Sequence, residues 1–229
     1  NIRIIDEMFL LNRKYYQPLC EGLIERGYGK DLIMWAYSRV DTVRRPEILK
    51  LVRDAGIRWL GIGIESGDRQ VRLEVSKGKF KDVDIKKVVR KVEEAGINVM
   101  ANYIFGLPTD THKSMRTTQD LALDLATLGW NGYSAMPLPG SQLYKDAVEA
   151  GWELPSDYEG YSFHAYTTVP VPTDNLTSSE ILKFRDEAYL EYHTSEKFLS
   201  KVKAKYGQDA VDNILKNCEI KLKRKILGD

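Results

Sequence analysis

Along the chain, stretches with apolar residues at helical spacing alternate with short apolar runs, and four of these stretches close on a glycine before the run begins. Apolar side chains recurring every three or four residues mark a helix with one buried face. A glycine just past it suits a left-handed cap, and the compact apolar run reads as a strand. The spacing predicts helices over residues 15–26, 46–55, 83–95 and 114–128, and strands over 33–38, 59–64, 99–105 and 133–136; a further strand, 2–6, opens the chain. The junctions Ala55-Gly56-Ile57 and Ala95-Gly96-Ile97 match each other, as expected of a repeated βα unit.

Strands separated by helices of about 10 to 15 residues pair in parallel, because parallel neighbours need a crossover. An open doubly wound sheet and a barrel both meet that condition. The strand ends separate them: Asp6-Glu7, Arg39-Val40-Asp41, Glu65-Ser66-Gly67 and Gly106-Leu107-Pro108 put charge or glycine at nearly every carboxyl end, the way barrels assemble sites. No G-x-G-x-x-G loop opens a helix, so a barrel, full or partial, is favoured over a dinucleotide-binding sheet.

After Trp152 the chain turns irregular and rich in Tyr, Pro and Ser, a connection suited to roofing a barrel. Thr177-Ser178-Ser179-Glu180 has capping-box spacing and opens a helix to about His193; further helices are expected over 195–206 and 208–227. Two regions follow: 1–151, the barrel, and 152–229, an aromatic connection with a helical extension.

Composition narrows the function classes. With 34 basic and 33 acidic side chains the net charge is +1, so no general field draws the chain to nucleic acid or to an anionic membrane. The basic run Lys221-Leu222-Lys223-Arg224-Lys225 reads as a solvated helix face. No apolar stretch approaches the roughly 20 residues that span a bilayer. The two cysteines, Cys20 and Cys218, lie in helical patterns as small buried hydrophobes, and with no secretory-type start a cytoplasmic, reducing setting is expected.

Taken together and in order, Asp6-Glu7-Met8-Phe9, Ser38-Arg39-Val40-Asp41, Gly63-Ile64-Glu65-Ser66-Gly67, Lys77-Gly78, Gly106-Leu107-Pro108 and Pro137-Leu138-Pro139-Gly140-Ser141-Gln142-Leu143-Tyr144 closely resemble the radical S-adenosylmethionine superfamily. The resemblance covers residues 1–151. It is strongest to the branch that includes anaerobic protoporphyrin-ester cyclase-like proteins and radical methyltransferases, whose members often carry a cobalamin-binding domain. The resemblance implies a partial (β/α)6 TIM-like barrel with a helical C-terminal extension. In that family a 4Fe-4S cluster, held by three cysteines after the first strand, cleaves S-adenosylmethionine reductively to a 5′-deoxyadenosyl radical. The first strand here matches the family's second, so the cluster loop is expected ahead of Asn1 and this chain alone is expected to be inactive. An external electron donor and a small-molecule or peptide substrate are implied. Cobalamin enters through relatives only, since no cobalamin-binding sequence is present.

By the same resemblance, Asp6 and Glu7 receive the methionine amino group, Arg39 meets the carboxylate, Glu65 and Ser66 contact ribose and methionine, and Gly106 and Leu107 offer backbone to adenine. Each residue has a plainer reading. Asp6 caps a turn, Arg39 pairs with Asp41 at the surface, and Gly61, Gly63 and Gly67 serve packing. Glu65 resists such a reading, because it leaves the buried strand segment Ile62-Gly63-Ile64 as a carboxylate that is costly unless paired or used. Thr109-Asp110-Thr111 stands where relatives read Gly-Glu-Thr, and Ser141 where Thr is commoner. Tyr161, His164 and Tyr166 read as aromatic packing before substrate lining. Two rivals remain. A metal- or carboxylate-dependent barrel would use Asp41 and Glu65, but His112, His164 and His193 all lie away from the strand ends. A non-catalytic binding barrel would lack a Cys-x3-Cys-x2-Cys loop in its native gene.

Overall fold

The structure, a computed structural model, describes residues 1–6, 8–75 and 83–229. Glu7 and the Lys77-Gly78 motif therefore lie outside the described residues. Five strands, β1 (Ile2–Arg3), β2 (Met34–Arg39), β3 (Ile57–Glu65), β4 (Asn98–Phe105) and β5 (Gly129–Ser134), form one sheet in the order β1-β2-β3-β4-β5. All five run parallel. Helices make the crossovers: α1 (Arg13–Glu25), α2 (Pro46–Asp54), α3 (Arg69–Val75) with α4 (Ile85–Glu94), and α5 (His112–Leu125). A doubly wound sheet reverses its strand order at a switch point. Here each strand lies beside its sequence neighbour throughout, which is the topology of a (β/α) barrel and the α/β class expected.

Local chemistry explains the helix starts. Asn12 and Asp84 accept from the backbone N–H of Lys14 and Lys87 at 3.0 Å each, capping α1 and α4. Helix α5 begins two residues before the expected Ser114, because Thr111 is its cap and Ser114 closes the capping box from inside the helix.

The last strand also differs from expectation, running over Gly129–Ser134 in place of 133–136. Gly129, expected as a helix cap, belongs to the sheet, where a Cβ would lie 2.5 Å from the Met100 methyl. The cap role falls to Ala126 in the left-handed region, φ 45°. Two short helices, α3 and α6 (Gln142–Glu149), carry too few turns for their periodicity to be read.

By its contacts the chain divides into two compact units. The first comprises Asn1–Glu65, Gly78–Asn102 and Thr127–Asn131. Its core is the helix-facing side of the sheet, with Ile57, Leu60, Ile62, Ile64 and Val99 fully buried and α1 packed on α2. Each such side chain contributes roughly 1.5–3 kcal/mol when taken from water. Cys20 is buried in this core, and burial pushes its thiol up to about 11, so it acts as a small hydrophobe.

The second unit comprises Ser66–Lys77, Tyr103–Ala126 and Gly132–Asp229. Its centre is α7 (Ser178–His193), opened by the expected capping box of Thr177 and Glu180 and packed against α5, α8 (Glu196–Tyr206) and α9 (Gln208–Cys218). Phe184 of α7 meets Phe105 edge-on at 5.2 Å, and Gln119 donates to the Ala188 carbonyl at 2.9 Å.

The C-terminal end corrects the sequence reading. Helix α9 stops at Cys218, and the basic run is no solvated helix face, because Arg224 is fully buried. Its guanidinium holds both Asp186 oxygens, at 2.8 and 2.9 Å, and the carbonyls of Phe163 and Ala165, each at 2.8 Å. A buried guanidinium is tolerated when its donors are satisfied in this way, and those contacts draw the chain out of helical register.

Candidate functional site

In the first unit the sheet has two unlike faces. Met34, Ala36 and Ser38 of β2 are buried under helices, while Trp35, Tyr37 and Arg39 on the other face are half-exposed. Register places Trp59, Gly61 and Gly63 of β3 opposite those three. Trp35 and Trp59 stack with ring centroids 5.3 Å apart. Further along this face Asn131 donates to the Asn102 side chain at 2.9 Å, and Asn102 to the Ile62 carbonyl at 3.3 Å. Sequence reasoning missed this amide pair. The signal available was Asn98 and Asn102, four positions apart and therefore on one face of the strand.

Glu65 ends β3 on this face. Its φ of 65° is left-handed, a conformation that costs a non-glycine residue on the order of 1–3 kcal/mol. The carboxylate folds back over Gly63, where a Cβ would stand 2.5 Å from Oε1, so only glycine leaves room for it. Burial alone pushes the carboxyl above the usual range. Among the described residues the Glu65 carboxylate has no hydrogen-bond or ion-pair partner. Gly63 is the register partner of Arg39, so the structure brings Arg39 and Glu65 to adjoining strand ends on one face.

Arg39 is occupied. Nε donates to Asp41 at 2.9 Å and a terminal nitrogen bonds the second Asp41 oxygen; this bond, ahead of burial, holds the guanidinium pKa up. Thr42 and Ser38 donate to the Arg39 carbonyl at 2.9 and 3.2 Å, which makes a tight turn of the strand end. A ligand carboxylate would have to share the guanidinium with Asp41. Asp6 is exposed and accepts from the Met8 N–H at 2.9 Å, the turn-capping role.

In the second unit the candidates are inward-facing and satisfied. Ser66 is fully buried; its hydroxyl bonds Thr118 Oγ1 at 3.1 Å and accepts from the Asp68 N–H at 3.1 Å, and its carbonyl accepts from Arg72 at 2.7 Å. That hydroxyl serves packing against α5.

Gly106 and Leu107 both direct their N–H groups to Asp110 Oδ2, at 3.1 and 3.0 Å, while Ser114 donates to Oδ1 at 2.6 Å. Gly106 takes a φ of 79° and lies so close to Ile181 that a Cβ would be 2.6 Å away. Burial pushes the Asp110 carboxyl up, against the pull of the Ser114, Leu107 and Gly106 donors. The backbone donors proposed for a nucleobase are therefore held internally.

For a sulfonium nucleoside the described residues offer one fitting feature, the Glu65 carboxylate in its glycine cradle, without a partner among them, which suits hydroxyl or ammonium donors. For an iron-sulfur cluster the described residues offer no fit: no group of three or more His, Cys, Asp or Glu is gathered among them, and both cysteines are free thiols with pKa values raised by burial. No helix among the described residues is long and apolar enough to cross a membrane.

Comparison with known proteins places these features in context. Residues 4–122 match the profile of the Radical SAM superfamily. The chain is 31% identical over 184 residues to the anaerobic magnesium-protoporphyrin IX monomethyl ester cyclase of Cereibacter sphaeroides, covering 78% of this chain and 28% of that protein. It is 26% identical over 201 residues to an uncharacterized methyltransferase of Pyrococcus horikoshii, covering 87% of this chain and 42% of that protein. Its fold matches that of the radical S-adenosylmethionine methyltransferase TsrM from Kitasatospora setae, solved with cobalamin and a 4Fe-4S cluster bound, at a TM-score of 0.56 and 21% identity over 65% of this chain and 30% of that one. The chain thus spans between 28% and 42% of the length of these two curated relatives.

Proposed function

The chain belongs to the radical SAM superfamily, and from that premise we propose that its strand ends bind S-adenosylmethionine for reductive cleavage within a longer protein. The superfamily's chemistry is S-adenosylmethionine-dependent radical chemistry with a 4Fe-4S cluster. When bound, those two groups supply the electron and the 5′-deoxyadenosyl radical. The proposal assigns the cluster ligands to sequence outside these residues, and with them an external electron donor, a cytoplasmic setting and the choice between oxidoreductase and transferase chemistry.

The observation that carries the reading is the Glu65 carboxylate, half-buried, on a strained backbone and without a partner among the described residues. An anion kept in that condition gains from a ligand that brings hydroxyl or ammonium hydrogens to it. Glu65 accepts those hydrogens, Gly63 leaves the space, and Arg39 shares its guanidinium between Asp41 and the ligand carboxylate. Asp6, with Glu7, receives the ammonium end. In the second unit, Ser66 is bonded to Thr118 and the Gly106 and Leu107 N–H groups to Asp110.

The test is binding of S-adenosylmethionine to the anaerobically reconstituted full-length protein, by equilibrium dialysis, with 5′-deoxyadenosine as the product readout. Saturable binding that falls at least tenfold in Glu65→Gln, with 5′-deoxyadenosine formed by the parent on reduction, is expected. If the parent binds S-adenosylmethionine but never cleaves it, a binding-only barrel replaces the proposal; if Glu65→Gln binds as tightly as the parent, the site assignment fails.

A further inference from the structure

In the second unit a cleft of about 490 Å³ opens between α7 and the chain that follows α9. Sites for small molecules fall in the range of about 300–1,000 Å³. Leu190 of α7 and Ile220, Leu222 and Leu227 of the tail supply its apolar lining. Those three tail side chains remain 68%, 39% and 39% exposed, so their apolar surface is presented to the cleft and to solvent without cover.

The polar lining is unbalanced in charge. Lys183, Arg185 and Lys221 face Asp186 and Glu187. Asp186 is already used, with both oxygens on Arg224 and one shared with Arg185 at 2.9 Å. Glu187 faces Lys183 at 3.9 Å, both widely exposed. Among the described residues Lys221 has no ion-pair partner. The same surplus acts on His164 of the lining, whose pKa is lowered by burial first and then by Arg185 and Arg224.

The tail wall is also fixed in place. Besides the Arg224 contacts, Lys225 donates its N–H to the Tyr166 carbonyl at 2.9 Å, and Tyr166 donates to the Asp229 carbonyl at 2.9 Å. A cleft whose walls are fastened before binding loses little freedom when it is filled.

We propose that this cleft binds a single-chain apolar carboxylate, its chain along Leu190, Ile220 and Leu222 and its carboxylate on Lys221. The site is separate from the strand ends assigned to S-adenosylmethionine and stands or falls independently of them. The probe is dodecanoate, titrated calorimetrically below its micelle concentration into the full-length protein, with dodecyltrimethylammonium and dodecanol as the cationic and neutral counterparts of the same chain length.

Dodecanoate is expected to bind saturably at one site and at least tenfold more tightly than the cation. Lys221→Glu should remove that preference and Leu222→Asp should abolish binding, and both should leave S-adenosylmethionine affinity and the urea unfolding midpoint unchanged. Equal binding of the three amphiphiles would show an unspecific apolar patch, and absence of saturable binding to the full-length protein would show the cleft filled by another part of it. Either result overturns the proposal, as would Lys221→Glu retaining the affinity and preference of the parent.

Discussion

Glu65, the last residue of β3, and Asp110, in the loop between β4 and α5, are both carboxylates whose pKa is raised by burial, yet their surroundings are opposite. Asp110, in the second unit, accepts three donors between 2.6 and 3.1 Å and is 1% exposed. Glu65, in the first unit, has none among the described residues and takes a strained backbone conformation. A buried acid that is fully hydrogen-bonded organises its loop; one left without donors keeps an unmet capacity that a ligand can fill. The contrast marks Asp110 as a structural acid and Glu65 as the acid proposed to bind.

The sharpest way to break the contrast is Asp110→Ala. It strands the Gly106 and Leu107 N–H groups, while the Ser114 hydroxyl keeps the Thr111 carbonyl at 3.0 Å, and should cost about 4 kcal/mol of unfolding free energy, since each buried unpaired group costs about 1–3 kcal/mol. Urea denaturation measures it, and a loss below about 1 kcal/mol would mean that the acid is not holding the loop.

Glu65→Gln should do the reverse. Stability should change by less than about 0.5 kcal/mol, while S-adenosylmethionine affinity falls about tenfold, equivalent to about 1.4 kcal/mol. Dialysis and urea denaturation on the same variant give both numbers.

Gly63→Ala sharpens the point about space. Its methyl would meet Glu65 Oε1 at 2.5 Å, so the carboxylate must swing away, and affinity should fall about threefold, roughly 0.6 kcal/mol on the same scale. An unchanged affinity would show that the cradle is incidental.

The smallest effect is on pH dependence. A carboxyl whose folded pKa lies above its unfolded value binds its proton more tightly in the native state. Stability is therefore lost as pH rises from the ordinary glutamate value of 4.5 through the raised folded value. Glu65→Gln should flatten that decline in urea midpoints measured upward from pH 4.5, the ordinary glutamate value, while Asp110 continues to contribute the same sign in both proteins.

Much of the fold was legible in the order of residues. Periodicity and capping chemistry marked α2, α4 and α7 to within two residues at each end, because the apolar stripe of a helix and its terminal donors are set by neighbours three or four positions away. Gly129 misled for a specific reason: a glycine after a helix and a glycine inside a strand look alike in sequence, and the Met100 side chain that requires the latter lies 29 positions away. Arg224 misled for the same reason, its partner Asp186 being 38 positions distant.

Sequence by itself settled the parallel α/β class, the family and the residues at the strand ends, since each depends on short-range pattern. Only the tertiary structure shows which of those groups already have partners within the fold. Ser66 bonds Thr118, Arg39 bonds Asp41 and the Gly106 and Leu107 N–H groups bond Asp110, whereas the Glu65 carboxylate has no partner among the described residues. Hydrogen-bond satisfaction is a property of atoms in space: a side chain's chemistry is written in the chain, but its occupancy depends on which donors folding brings within about 3 Å.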